Sequence, residues 1–220
     1  DLGYDTIAAC GNNATILHWI RNNGTVDDGK LLLLDAGVED DTLYTADVTR
    51  TFPVNGKFTE VQAKVYNAVL DAADAAFAVA KPGTKFYEIH EAAMNVLAHR
   101  LEEWGLLPVS ADVSLTVEGG QHRRWMPHGT SHHLGLDVHD CAQAKAELYM
   151  WAELEPGMVF TIEPALYFKD EDLSVPEEYR GIGIRLEDDV LCTEDGNVNL
   201  SAALPRTVEG IEEWMAKLAK

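Results

Sequence analysis

Hydrophobic positions first predict two strands near the start of the chain. The run KLLLLDAG (30–37) is short, apolar and closed by a glycine, which is typical of a buried strand. A second strand is predicted over residues 43–52, because Pro53 and the turn pair Asn55-Gly56 follow it.

Two helices are predicted next, each with its own start and stop signals. Thr59 is a helix-capping residue, and the apolar positions after it recur at the helical period as far as Pro82-Gly83. Thr84 would open the second helix and Gly105 would end it.

The second half of the chain returns to strands. Residues 158–168 and 181–193 are rich in β-forming side chains, and a final amphipathic helix is predicted over 208–218. Strands, then two helices, then more strands do not alternate as they do in a doubly wound sheet. We therefore predict an α+β fold, with a single domain over residues 1–220.

Four carboxylates stand among apolar residues on these predicted strands: Asp35, Asp47, Glu163 and Glu187. Burying an ionised carboxylate is costly unless a cation or hydrogen-bond donors compensate for it. Any one of them alone is explained by a hydrogen-bonded strand end. The four together favour one common cause, and a pair of divalent cations is our hypothesis.

A cluster of histidines sharpens this hypothesis. The segment PHGTSHHLGLDVHD (127–140) contains His128, His132, His133 and His139. One imidazole among oxygen ligands suits manganese, cobalt, iron or zinc better than calcium. The spacing matches neither H-E-x-x-H nor C-x-x-C, so spacing alone leaves a structural role open.

Strand alternation adds one arginine to the candidates. In GIGIRLED, Arg185 shares a strand face with Glu187. Its guanidinium could orient a carboxylate, bind substrate or form a structural ion pair, and the sequence does not choose among these roles.

Composition narrows the classes of partner. The formal net charge is −20, with 37 acidic against 17 basic residues, which argues against nucleic acid and anionic membrane surfaces. No apolar run approaches the ~20 residues that span a bilayer. Cys10, Cys141 and Cys192 form no C-x-x-C pair, so we expect free, core-packed thiols in a reducing, cytoplasmic setting. A start at Asp1 without a signal segment leads us to expect a fragment or a processed product.

Four ordered motifs carry a resemblance to a known family. DAGVEDDTLYTADVTRTFPVNGKFT, HGTSHHLGLDVHD, TIEPALYF and GIGIRLEDD closely resemble the motifs of the proline-specific pita-bread metallopeptidases, which include aminopeptidase P and prolidase. The resemblance runs from about Gly11 to Leu204. It implies a pseudo-two-fold, curved antiparallel sheet backed by helices. Members also carry an N-terminal domain; we expect this chain to lack it and its substrate length preference to differ.

The resemblance implies a site for two divalent ions, most often manganese, with cobalt, zinc or iron as alternatives. The residues matching the family's ligands are Asp35, Asp47, His132, Glu163 and Glu187. Glu163 would also carry a proton toward the leaving nitrogen, and His139 would stabilise the oxyanion, with His128 beside them. His18, Tyr167 and Arg185 match residues that line the substrate cleft.

The function implied is hydrolysis of the Xaa-Pro bond, releasing the N-terminal residue from proline-containing peptides. Two alternatives stay open: a prolidase acting on Xaa-Pro dipeptides, and a non-catalytic pita-bread module that binds peptides or proteins. Methionine aminopeptidase motifs fit less well, and the intact ligand set counts against metal-free creatine hydrolysis. The assembly state is open, with a homo-oligomer among the options.

Overall fold

The computed structural model describes residues 1–218; residues 219 and 220 of the predicted domain lie outside the described part. The strands are β1 (Ile7–Cys10), β2 (Leu31–Ala36), β3 (Val48–Pro53), β4 (Val159–Ile162), β5 (Ala165–Phe168), β6 (Ile182–Arg185), β7 (Asp188–Thr193) and β8 (Gly196–Asn199). The helices are α1 (Glu60–Val79), α2 (Phe86–Glu103), α3 (Ala111–Ser114) and α4 (Val208–Leu218).

All the strand pairs in this described part are antiparallel. The pairings give three sheet segments, ordered β1-β2-β3, β4-β7-β8 and β5-β6. Helix α1 packs against α2 and also contacts β4, β5 and β6, so the core lies between the helices and the sheets. This segregation of helices from antiparallel strands confirms the predicted α+β class.

Local signals explain where the two long helices begin. Thr59 caps α1 through a capping box with Gln62, as predicted for its start. Helix α2 begins at Phe86 with Lys85 as its N-cap, so the prediction that Thr84 opens it is wrong. The Thr84 hydroxyl instead donates to the Val79 carbonyl at the end of α1.

The predicted strand over residues 43–52 is too long at its start. Strand β3 begins only at Val48. Asp40 accepts hydrogen bonds from the backbone and the hydroxyl of Thr42, and Leu43 has φ +69°, so this stretch is a turn. The hydrogen bonds of the Asp40 side chain therefore stabilise a turn where the apolar pattern predicted a strand.

The two long β-rich stretches of the second half are each broken in the middle. Residues 158–168 divide into β4 and β5 around Glu163-Pro164, and 181–193 divide into β6 and β7 around Leu186-Glu187. Proline cannot donate to a strand ladder, which accounts for the first break. Each break carries one of the candidate metal ligands.

The cysteines differ from one another in burial. Cys192 is buried and Cys10 is half-buried, whereas Cys141 is exposed at φ +54°. The prediction that Cys141 packs in the core is wrong, because it lies in an irregular loop after the histidine segment. Among the described helices, none combines the length and apolar composition needed to cross a membrane.

Candidate metal centre and active site

Two neighbouring strands bring the first pair of aspartates together. Asp35 lies in β2 opposite Thr49 of β3, and Asp47 immediately precedes β3. Both residues are buried, at 6% and 5% exposure. Gly37 makes the approach possible, since a Cβ there would lie 1.9 Å from the Ala46 carbonyl oxygen.

Glu163 and Glu187, which lie at the two strand breaks of the second half, are close to this pair of aspartates. The Glu163 N–H donates to the Thr130 carbonyl at 2.7 Å, and the Glu187 N–H donates to the Thr49 carbonyl at 3.1 Å. Each glutamate is thus fixed through its backbone to a segment that carries another candidate. The Thr49 hydroxyl also donates to Glu187 Oε2 at 2.6 Å.

His132 stands among these carboxylates. Its Nε2 lies 3.3 Å from Asp47 Oδ2 and 3.6 Å from Glu163 Oε1. One ligand atom each from Asp47, His132 and Glu187 lie within 4.8 Å of one another, close enough to share an ion. Glu163 adjoins this group through His132, and Asp35 is linked to Asp47 through the hydroxyl of Tyr4, so the five predicted ligands lie in one region.

Tyr4 is a member of the site that the sequence did not reveal. Its hydroxyl lies within hydrogen-bonding distance of both Asp35 and Asp47. Burial and the two carboxylates raise the pKa of Tyr4 far above its usual value. The pairing of β1 with β2, in which Ile7 lies opposite Asp35, and the bridge between Leu2 and Val38 bring this residue near the site, and that register cannot be read from the pattern.

Arg185 is almost completely enclosed, at 1% exposure. Its guanidinium binds Asp35 and the Tyr167 hydroxyl, and its Nε donates to the Thr49 hydroxyl at 3.1 Å. The contact with Asp35 is a buried ion pair, which fits both the orientation of a carboxylate and a structural ion pair. A contact with substrate would run through Tyr167, whose hydroxyl also lies 3.0 Å from His128 Nε2.

The remaining predicted histidines stand at the mouth of the site. The His139 ring lies 4.6 Å from that of His132 in an edge-on arrangement, and 6.3 Å from the exposed ring of His18. Both line an open cleft of about 230 Å³ whose walls are Tyr4, Asp5, Ile7, His18, Ile20, Asp35, Asp47, Val138 and His139. Two of the candidate ligands, Asp35 and Asp47, are thus reachable from solvent through this cleft.

The electrostatics of the site fit bound cations. Burial, followed by repulsion from neighbouring carboxylates, raises the pKa of Glu187 well above its usual value. Burial also raises the pKa of Glu163, to about 7. Burial lowers the pKa of His132, but Asp47 and Glu163 outweigh it and the net shift is upward. The repulsion between these carboxylates opposes their ionisation, and two bound divalent ions would offset that repulsion.

Comparison with known proteins identifies the family. The sequence profile described as metallopeptidase family M24 matches residues 1–194. The chain belongs to metallopeptidase family M24. Its M24 relatives include Xaa-Pro aminopeptidase 1 of Streptomyces coelicolor, 58% identical over 99% of this chain, and the Xaa-Pro aminopeptidase of Escherichia coli, 43% identical over 99%.

Solved M24 structures confirm the predicted pita-bread fold. Pseudomonas aeruginosa aminopeptidase PepP superposes with a TM-score of 0.92 at 41% identity over 98% of this chain. A substrate complex of an E. coli aminopeptidase P variant gives the same TM-score. The chain spans 44% of the Streptomyces relative, 48% of the E. coli relative and 48% of the Pseudomonas structure.

Proposed function

We propose that this chain carries the catalytic site for metal-dependent hydrolysis of the Xaa-Pro peptide bond, releasing the N-terminal residue of proline-containing peptides. The observation that carries the proposal is the convergence of Asp47, His132 and Glu187 within 4.8 Å, with Asp35 and Glu163 adjoining. Relatives named Xaa-Pro aminopeptidase, 58% and 43% identical, support the substrate class.

The metal site would be formed by Asp35, Asp47, His132, Glu163 and Glu187. Oxygen donors with a single imidazole suit manganese, with cobalt, zinc and iron as alternatives. When bound, a pair of divalent ions lowers the pKa of a water molecule and polarises the peptide carbonyl.

Glu163 would move the proton of the reaction. Its Oε1 lies 3.6 Å from His132 Nε2, so its carboxylate would adjoin water held at the metal site and could accept and return a proton there. It would take a proton from the attacking water as the water oxygen bonds to the carbonyl carbon, and would pass that proton to the proline nitrogen as the C–N bond breaks. His128 stands beside that carboxylate without bonding to it: its Nδ1 donates to the Gly129 carbonyl at 2.7 Å, and its Nε2 lies 3.0 Å from the Tyr167 hydroxyl, which it would help to orient.

His139 would face the carbonyl oxygen of the substrate. Burial lowers its pKa, so the ring is neutral at physiological pH and can donate a hydrogen bond without carrying charge. His18, on the same cleft wall, and Tyr167, oriented by Arg185, would contact the peptide on either side of the bond that is cut. We place this chemistry in the cytoplasm, acting on small peptides.

The test combines metal analysis with three peptides. We expect the manganese-loaded protein to release alanine from Ala-Pro-Ala and to leave Ala-Ala-Ala intact. Preference for the dipeptide Ala-Pro would favour the prolidase alternative, and binding of Ala-Pro-Ala without cleavage would favour the non-catalytic module. Glu163→Ala should lower kcat by at least about 100-fold, the low end for loss of a general acid-base group.

The matched control for this test is Glu171→Ala, at an exposed glutamate outside the site. It should leave turnover unchanged. Glu163→Ala that retains both bound metal and normal turnover would remove Glu163 from the mechanism. Absence of bound metal in the active wild-type protein would overturn the metal assignment.

A further inference from the structure

Helix α2 contacts the histidine segment at two points, one on each side of His132. Phe86 stacks on His133 with ring centroids 4.3 Å apart and an angle of 17°. One turn later, His90 Nδ1 lies 3.0 Å from the Thr130 hydroxyl. Residues four apart lie on the same helix face, so one face of α2 supports both flanks of this candidate ligand.

The contact between His90 and Thr130 includes a hydrogen bond with a defined donor and acceptor. The Thr130 backbone N–H donates to His90 Nδ1 at 3.2 Å, so this ring nitrogen is the acceptor and the proton sits on Nε2. Thr130 is completely buried, so its N–H depends on the His90 ring for a hydrogen-bond partner. A buried N–H without a partner is costly, so His90 determines where this backbone can lie.

The position of the Thr130 backbone determines where two of the site residues lie. Its carbonyl accepts the Glu163 N–H at 2.7 Å, and two residues later the His132 N–H donates to the Thr161 hydroxyl at 3.2 Å. The two polar backbone groups of Thr130 are therefore bound on opposite sides, one by His90 and one by the proposed proton carrier. A shift of Thr130 would displace Glu163 and His132 together.

We propose that His90 is a positioning residue for the reaction, acting through Thr130 on Glu163 and His132. The inference rests on the proposed function for its catalytic readout, although its structural basis is independent of it. The hydrogen bonds of the His90 side chain both go to Thr130 and none to the candidate ligands, so its imidazole acts as a hydrogen-bond acceptor for this one residue.

Two substitutions of similar size distinguish the role of His90 as a hydrogen-bond acceptor from its role in packing. In His90→Asn, the amide oxygen can occupy the position of Nδ1 and accept from Thr130. His90→Leu has a similar volume and no acceptor. We expect His90→Leu to lower kcat and weaken manganese binding by about 10-fold each, the low end for residues that support metal ligands, with KM changed less than about 2-fold. His90→Asn should restore most of both.

The matched control is His99→Leu on the same helix. His99 Nδ1 bonds only to the Asn95 carbonyl one turn earlier, so its loss should leave kcat and manganese affinity unchanged. Equal losses in His90→Asn and His90→Leu, or wild-type kcat and affinity in His90→Leu, would overturn the proposal.

Measurements on the wild-type protein keep the inference testable if His90→Leu does not fold. The ¹⁵N chemical shifts of His90 should report an unprotonated, hydrogen-bonded Nδ1, and the Thr130 amide should exchange slowly with solvent. A protonated Nδ1 or a fast-exchanging Thr130 amide would overturn the positioning role. If the wild-type protein cleaves no Xaa-Pro peptide, the proposed function fails, while the manganese affinities and the spectra still test His90.

Discussion

At the scale of single residues, Tyr4 is the group whose effect is easiest to isolate. Its hydroxyl is shared by Asp35 and Asp47, and the rest of its ring lines the cleft. Tyr4→Phe removes the oxygen alone. We expect manganese affinity and kcat each to fall by about 10-fold, because ligand carboxylates lose affinity when their supporting hydrogen bonds are removed.

The check for Tyr4 is titration calorimetry with manganese beside peptide turnover. Tyr44→Phe is the matched control, since Tyr44 is 58% exposed and is not among the cleft-lining residues. An unchanged manganese affinity in Tyr4→Phe would mean that the hydroxyl does not support the ligands. A loss of the same size in Tyr44→Phe would mean that the effect is not local.

At the scale of elements, β3 joins the two halves of the site. Arg50 of β3 donates from Nη1 to the Glu187 carbonyl at 2.7 Å and from Nη2 to Asp188 Oδ1 at 2.6 Å, and its Nε reaches the Pro205 carbonyl. Arg50→Met removes one of the two arginines that pair with the buried Asp188 and leaves Arg206, 2.8 Å from Asp188 Oδ2, as the other. We expect the free energy of unfolding to fall by about 3 kcal/mol, the low end for breaking a buried ion pair.

Chemical denaturation measures this loss, and Arg100→Met provides the comparison. Arg100 pairs with Asp71 and Glu103, but its side chain is 41% exposed, so its removal should cost less than about 1 kcal/mol. Equal losses in the two variants would show that burial does not decide the strength of these pairs.

The same elements show what the sequence could predict and why the rest was hidden. Thr59, Gly105 and the apolar run of β2 are local signals, and the elements they predict are present. The strand breaks at Glu163 and Glu187 were missed, because apolar periodicity does not record where a chain leaves one sheet for another.

In the site too, some residues can be recognised from the local sequence and others only from long-range contacts. The five candidate ligands stand out as acids or histidines within recognisable motifs. The groups that orient them do not: Tyr4, Thr49 and His90 meet the site only through strand register or helix packing. Each is an ordinary residue in its local sequence, so only long-range contacts reveal it.

At the scale of the whole molecule, the acidic cluster couples stability to pH and metal. The pKa of Glu163 is raised to about 7 in the folded protein, against about 4.3 in an unfolded chain, and the pKa of Glu187 is also raised. An acid whose pKa is higher in the folded protein than in the unfolded chain lowers the stability of the fold at pH values above its unfolded pKa. The metal-free protein should therefore lose stability as pH rises from about 4.5 through 7.

Bound cations reverse this penalty, because they interact with the ionised carboxylates and not with protonated ones. At 100 times its dissociation constant, manganese adds about 2.7 kcal/mol, which for a chain of this size corresponds to roughly 5–10 °C in Tm. Adding a chelator should therefore lower Tm by several degrees at pH 8 and by much less at pH 5.5. Thermal scans with manganese or chelator at both pH values measure the difference. A chelator effect of equal size at both would mean that the carboxylates of this cluster are not what the metal stabilises.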